Sequence, residues 1–219
     1  MLSRDRLREV YDRVGSRQDS QSFYEAPALD LLVRYGAFGS AETVLEIGCG
    51  TGAFAERLLA GECPETTTYE AIELSCTMAS IARARLEPWA DRVTVRWTDG
   101  APPIDNPSRS VDRVVVAYVF DLLPRPEVRT LLSEARRVLK PGGRLCACGL
   151  APGIGPMSRA VEWLWRSVFA LRPTLVGGCR PLEVRPLLGR SWRVHHHDHV
   201  APWGVPSEVL VATPRPDTV

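Results

Sequence analysis

The residues best suited to chemistry lie in one run, Val44-Leu45-Glu46-Ile47-Gly48-Cys49-Gly50-Thr51-Gly52-Ala53-Phe54. Glycines at alternate positions let the backbone turn sharply and present its N–H groups to a ligand, because no Cβ stands in the way. A loop of this kind between a buried strand and a helix makes a nucleotide-type pocket at the strand's carboxyl end. Two more carboxylates stand where later strands give way to loops. Glu73 follows Tyr69-Glu70-Ala71-Ile72, and Asp99 sits in Thr98-Asp99-Gly100-Ala101. The plainer uses of these two are a dipole-favoured residue at a helix start for Glu73 and an Asx turn for Asp99. A third group is His195-His196-His197-Asp198-His199. On a strand its same-face neighbours stand ~6–7 Å apart along the chain, so a tight tetrahedral metal site would need ligands from elsewhere. No metal is expected.

These groups need a scaffold, and the hydrophobic pattern supplies one. A helical stripe (Leu7, Val10, Tyr11, Val14) runs over 4–14, a polar segment over 15–21, and a second helix over about 27–35. Strands and helices then alternate. Strands are expected at 43–47, 67–72, 92–97, 111–119 and 144–149, with helices at 53–60, 75–86 and 126–139. A proline-rich loop fills 101–109. Lys140-Pro141-Gly142-Gly143 ends the last of these helices. The alternation implies βαβ crossovers and an α/β, doubly wound parallel sheet. Beyond it come a Trp-rich helix at 156–171, a short helix at 181–188, and two strands, 192–200 and 207–212, forming a closing antiparallel hairpin.

Composition sets the outer limits. The 219 residues suit one α/β domain. Twenty-seven basic against twenty-six acidic side chains give no basic excess, which argues against nucleic acid as a partner. Six cysteines at 49, 63, 76, 146, 148 and 179 form no C-x-x-C pair, consistent with free thiols in a reducing cytosol. The charged start lacks a signal-peptide apolar region, and the longest apolar run, 114–123, is too short to span a bilayer. The expected protein is cytoplasmic, without an integral membrane segment, and a monomer or homodimer.

The Glu46-Ile47-Gly48-Cys49-Gly50-Thr51-Gly52 segment resembles the E-x-G-x-G-x-G motif of class I S-adenosylmethionine (SAM) dependent methyltransferases. A dinucleotide-binding loop would place its third glycine one residue later. The carboxylates at 73 and 99 and the Leu-Lys-Pro-Gly-Gly run before the fifth strand are also similar to that family. The resemblance covers residues 40–150 by motif and the remainder by layout. It implies a seven-stranded sheet of order 3-2-1-4-5-7-6, with residues 1–38 a helical lid, 39–150 the SAM-binding core, and 151–219 the substrate-side insertion and hairpin. It further implies a SAM site made by Glu46, Gly48, Cys49, Gly50, Gly52, Glu73 with Leu74, Met78, Asp99, Gly100, Ala117 and Tyr118. Glu73 would accept from the ribose hydroxyls and Asp99 from the adenine amino group. Met78 would pack near the adenine, and the main chain of Ala117 and Tyr118 would face the methionine moiety. S-adenosylhomocysteine would be the product.

The acceptor is less legible. No Asn/Asp-Pro-Pro-Tyr motif follows strand four. Asp121 and Tyr11 are the candidate catalytic groups, the first beyond that strand and the second on the lid. Tyr24, Trp163 and Cys179 are candidates for substrate contact. The expected activity is methyl transfer to oxygen, nitrogen or sulfur of a small, apolar, quinone-, lipid- or natural-product-like molecule. The alternative is a SAM-binding regulatory or partner subunit without chemistry, since Glu73 and Asp99 bind rather than react.

Overall fold

The computed structural model describes residues 1–99 and 103–216, with only the backbone at Gln21 and Ser22. Two helices lead, α1 (Arg4–Val14) and α2 (Ser22–Gly36), joined by a 3-10 segment, Gly15–Gln21. The core follows as β1 (Thr43–Ile47), α3 (Ala53–Arg57), β2 (Thr68–Glu73), α4 (Cys76–Arg85), β3 (Val93–Trp97), β4 (Val111–Ala117), α5 (Arg125–Val138) and β5 (Leu139–Leu150). Then come α6 (Pro156–Leu171), β6 (Trp192–Val200) and β7 (Ser207–Pro214). The strands form one sheet of order β3-β2-β1-β4-β5-β7-β6, in which β7 runs antiparallel to both β5 and β6. Sheet order and helical leader agree with the expectation.

Branched residues on both faces of β4 explain its central place. Val114 and Val116 enter one apolar cluster with α5, and Val115 enters the other, so the strand is covered on two sides. The reversal of strand order between the parallel neighbours β1, whose connection runs outward to β2, and β4, whose connection runs to β5, opens the crevice where this fold places ligands.

Several boundaries moved for physical reasons. α2 starts at Ser22 and runs through Pro27, which forgoes one backbone bond. Complete burial of Ala28 and Leu32 against the β5–β7 region offsets that loss. The leader therefore divides its work: α2 packs on the sheet, while α1 and the 3-10 segment lie over the crevice. β4 ends at Ala117 because Tyr118 takes a left-handed φ of 54°. Residues 181–188 do not form the expected helix. Pro181 and Pro186 lack donors, the Leu182 N–H is spent on Leu150 O (2.8 Å), and the Val184 N–H on Glu208 Oε2 (2.6 Å). Only a 3-10 turn, Arg185–Leu187, remains.

Candidate active site

A cavity of about 760 Å³ opens over the carboxyl ends of β1, β2, β3 and β4. The glycine loop forms one wall. Gly48 N and Cys49 N donate to Ile72 O (2.8 and 3.2 Å), which ties the loop to the end of β2. Gly48 has φ of 73°, and a Cβ there would lie 2.4 Å from Val119 Cγ2, so any other residue would be strained and would force Val119 to move. Gly50, also left-handed, faces open space: its Cβ would meet only Met78 Sδ, at 3.9 Å. A side chain at 50 would thus fill the cavity rather than strike protein. Gly52 is different. It does not line the cavity, and its Cβ would press on Ala82 of α4 at 3.2 Å. The third glycine serves close helix packing and is corrected from binding to structural.

Glu73 sits at the centre of this wall, 7% exposed. Its Oε2 accepts from Gly50 N (2.9 Å) and its Oε1 from Ser75 N (2.8 Å). A carboxylate offers about four acceptor positions, so both oxygens keep capacity toward the cavity. Burial pushes the Glu73 carboxyl up from its ordinary range, opposed by the Ser75, Gly50 and Leu74 amides. Glu46, beneath the loop, accepts from the Tyr69 hydroxyl (2.9 Å); burial raises it to about 7 despite that bond. Cys49, Leu74, Met78, Asp99, Ala117 and Tyr118 also line the cavity, whereas Gly100 lies outside the described residues. Tyr118 spends strain of about 1–3 kcal/mol on its φ. Its N–H is held by Cys148 O (2.8 Å) and its hydroxyl pairs with Ser207 Oγ (3.0 Å).

The opposite wall is built from distant segments. Tyr11 from α1 meets Cys179 across 3.7 Å, O to S, and Tyr24 and Glu25 from α2 join them at the cavity surface. The Tyr24 and Tyr118 rings meet edge-on at 6.1 Å. Glu25 went unnoticed in the sequence. Its Oε1 is buried without a hydrogen-bond partner among the described residues, and burial raises its pKa to about 7, with Tyr24 opposing the shift. Only the helical register could have flagged it, since Glu25, Ala28 and Leu32 share a face of α2. Burial likewise pushes the Tyr11 and Tyr24 hydroxyls and the Cys179 thiol upward, so all three are neutral at ordinary pH.

Asp121 does not reach the cavity surface. It is 1% exposed on the 3-10 turn Phe120–Leu122, behind Leu150 and Cys179, and burial raises it to about 7. Neither of its carboxylate oxygens has a well-formed hydrogen bond among the described residues. Trp163 is also misplaced by the sequence reading. It is 71% exposed and outside the cavity, because α6 turns its neighbour inward instead. Trp165 Nε1 donates to Cys179 O (2.9 Å) and so fixes the residue that lines the wall.

The leader is latched across the mouth. Asp12 Oδ1 accepts from Ser75 Oγ (2.5 Å) and Thr77 N (3.2 Å) at the start of α4. Asp19 pairs with Arg85 (2.6 Å) and accepts from Thr51 Oγ1 of the glycine loop. Arg4 pairs with Glu127 on α5 (2.7 Å). These anchors, absent from the sequence reading, tie one segment to both walls. Among the described residues no helix is long and apolar enough to cross a membrane.

Comparison with known proteins agrees with this architecture. A methyltransferase-domain family matches residues 44–143. Demethylmenaquinone methyltransferase of Tropheryma whipplei (strain Twist) is 33% identical over 147 residues, 65% of this chain and 58% of that protein. The ubiquinone/menaquinone biosynthesis C-methyltransferase UbiE of Bordetella parapertussis is 31% identical over 167 residues, 72% of this chain and 62% of its own length. The chain thus spans about three-fifths of the curated relatives it matches. A methyltransferase of Haloferax volcanii, solved in complex with the Trm112 activator, superposes with a TM-score of 0.72 at 16% identity, over 94% of this chain and 98% of that one. The N-methyltransferase NodS of Bradyrhizobium japonicum, solved with S-adenosyl-L-homocysteine, gives 0.64 at 19% identity, over 88% of each. At such identities the structural likeness is one of fold. Residues 44–143 thus carry a methyltransferase domain by sequence, and the glycine loop and sheet order are similar to those of class I, Rossmann-like S-adenosylmethionine-dependent methyltransferases.

Proposed function

We propose that this chain moves the methyl group of SAM to a small, apolar, quinone-like acceptor, with Glu25 as the acceptor-side base. The observation that carries the reading is a buried carboxyl with an unpartnered oxygen and a pKa near 7, in the wall of the same cavity as the glycine loop. A general base works best when its pKa lies near the operating pH.

The residues fit the cofactor. Gly50 leaves the cavity free of a side chain, and Glu73 keeps acceptor capacity for two ribose hydroxyls. Asp99 is the partner for the adenine amino group, with Leu74 and Met78 beside the ring. The backbone of 48–50 and of Ala117–Tyr118 faces the methionine part. When bound, SAM supplies an electrophilic methyl on a sulfonium, so the protein's share is alignment and water exclusion. Orientation of this kind can lower a barrier by ~7–11 kcal/mol.

On the other wall, neutral Tyr11 and Tyr24 hydroxyls orient an acceptor hydroxyl, and Glu25 takes its proton as the new bond forms. Loss of that proton raises electron density on the oxygen and, in an aromatic ring, on ring carbons as well. The acceptor atom is therefore oxygen, nitrogen or sulfur as read from the sequence, or ring carbon as the name of the UbiE relative suggests. Asp121 is a positioning residue: its main-chain oxygen accepts from Arg180 N (3.0 Å), and its carboxyl lies behind Cys179.

Labelled SAM with reduced benzoquinone and naphthoquinone analogues and a panel of phenols and thiols tests the proposal, with product mass and NMR locating the methyl. Glu25→Gln is expected to lower kcat by ~10²–10⁴-fold at pH 8 and leave SAM affinity unchanged. Tight SAM binding without transfer to any acceptor would favour the non-catalytic subunit. Transfer that is indifferent to Glu25→Gln would remove the base from its role.

A further inference from the structure

The histidine run at the far edge of the sheet is not absorbed by the active site. The four imidazoles part company. His195 Nε2 pairs with Thr213 Oγ1 (2.8 Å), and His196 stacks on Tyr35 at 3.7 Å with a 12° tilt. His197 and His199 share a face, their rings nearly perpendicular and 5.1 Å apart. The β6–β7 register sets His199 opposite Glu208 and His197 opposite Leu210, so both imidazoles flank the Glu208 side chain. Glu183, from the loop that replaced the expected helix, completes the group. One ligand atom from each of Glu183, His197, His199 and Glu208 lies within 4.8 Å of all the others.

We propose that these four residues form a binding site for a Zn²⁺-class divalent transition-metal ion. The donor set is two imidazole nitrogens and two carboxylate oxygens, a combination suited to Zn²⁺. Tetrahedral Zn²⁺ with bonds of ~2.0–2.1 Å holds its ligand atoms about 3.3–3.4 Å apart. His197 Nε2 and Glu208 Oε1 are already 2.9 Å apart. That pair need only spread by about half an ångström, and the contraction falls to exposed Glu183 and half-buried His199, whose side chains have room to turn.

Glu208 is prepared for a ligand's part. It is 2% exposed, and its carboxylate is aimed by the Val184 N–H (2.6 Å) and the Arg185 N–H (3.1 Å). Such outer donors fix the orientation of a ligating group. The same two amides draw in the chain beside Glu183, so one backbone turn both aims the buried carboxylate and delivers the exposed one. Charge points the same way. A divalent ion bound among the four side chains balances the charge of the two carboxylates. The bound ion clasps the β6–β7 hairpin to the 179–185 loop, and that loop carries Cys179 into the cavity wall.

Chelator-stripped, untagged protein titrated with Co²⁺ and then Zn²⁺ decides the matter. The expected result is one equivalent bound, visible absorption bands of four-coordinate Co²⁺ that Zn²⁺ abolishes, and a raised Tm with Zn²⁺. His199→Gln and Glu183→Gln, both outside the core, should each weaken binding at least tenfold and remove the Tm gain. His195→Gln and His196→Gln should leave both readouts unchanged. Absence of saturable Co²⁺ binding overturns the proposal. So does binding that survives His199→Gln and Glu183→Gln, or that follows Cys76→Ser instead.

Discussion

The two walls of the cavity are built on different principles. The wall over β1 and β2 is made largely of backbone: amides of the glycine loop, clamped to Ile72 O and to the Glu73 carboxylate, within thirty residues of chain. The facing wall is made of side chains from α1, α2 and the loop at 179, brought together over separations such as the 168 positions between Tyr11 and Cys179. The first wall can be specified by a local motif because its geometry follows from φ angles and short spacings. The second exists only after the sheet has assembled and the leader has docked. A backbone cradle resists change in shape, whereas a side-chain wall can alter its chemistry one residue at a time. A fixed cofactor and a variable acceptor suit those two constructions.

The comparison is sharpest in the buried carboxyls, where the largest effect is expected. Glu46 in the first wall, Glu25 in the second and Asp121 behind it are each raised to about 7 by burial. Folded-state values above the unfolded ones mean that the native protein holds more protons, so stability falls as pH rises. The drop begins near the unfolded carboxyl values and levels off above pH 7, and it amounts to several kcal/mol for the three groups together. Urea unfolding of the ligand-free protein from pH 4.5 to 8 should show it. Glu46→Gln, which can still accept from Tyr69, should flatten part of the slope; an unchanged slope would mean Glu46 does not titrate in this range.

Next in size is the backbone wall itself. Gly48→Ala forces a Cβ onto Val119 Cγ2 and strains a left-handed residue. SAM affinity measured by calorimetry should fall at least ~100-fold, about 3 kcal/mol. Val119→Ala in the same chain removes the clash and leaves the φ strain, so it should restore part of the affinity and not all. Full restoration would show that sterics alone dictate glycine at 48. Glu73→Ala should cost ~1.5–3 kcal/mol of SAM binding, the scale of a hydrogen bond to a charged group. An unaltered Kd would confine Glu73 to tethering Gly50 and Ser75.

This division of labour also explains what the sequence disclosed. The alternation of strands and helices could be read from periodicity and the strand-tip places of Glu46, Glu73 and Asp99 from short motifs, whereas the sheet order followed only from the family resemblance. Gly52 could be misread because motif spacing does not say whether a glycine faces a ligand or a helix; here Ala82 decides it. Trp163, expected at the substrate, lies exposed while Trp165 reaches Cys179, because the rotation of a helix on a sheet is a tertiary property. Glu25 was passed over for the converse reason: a glutamate in a helical pattern reads as solvated surface until something covers it. The helix expected at 181–188 failed because its N–H groups found partners on Leu150 and Glu208, residues remote in sequence.

The smallest effect should come from the latches that join the two walls. Asp12 and Asp19 hold the leader to α4 and the glycine loop through half-exposed contacts, and their carboxyls are pulled below the usual range by hydrogen bonds to Ser75 and to Arg85 respectively, against a desolvation that acts the other way. Exposed pairs of this kind are worth about 0–1 kcal/mol each. Asp12→Ala with Asp19→Ala should therefore leave α2 and the sheet intact, since Ala28 and Leu32 anchor them independently. What should change is the rate at which the mouth opens. Stopped-flow release of S-adenosylhomocysteine is expected to quicken several-fold, with equilibrium unfolding within about 1 kcal/mol of wild type. Equal release rates in the two proteins would mean that α1 stays down without these carboxylates, held by Leu7, Val10 and the Arg4–Glu127 pair.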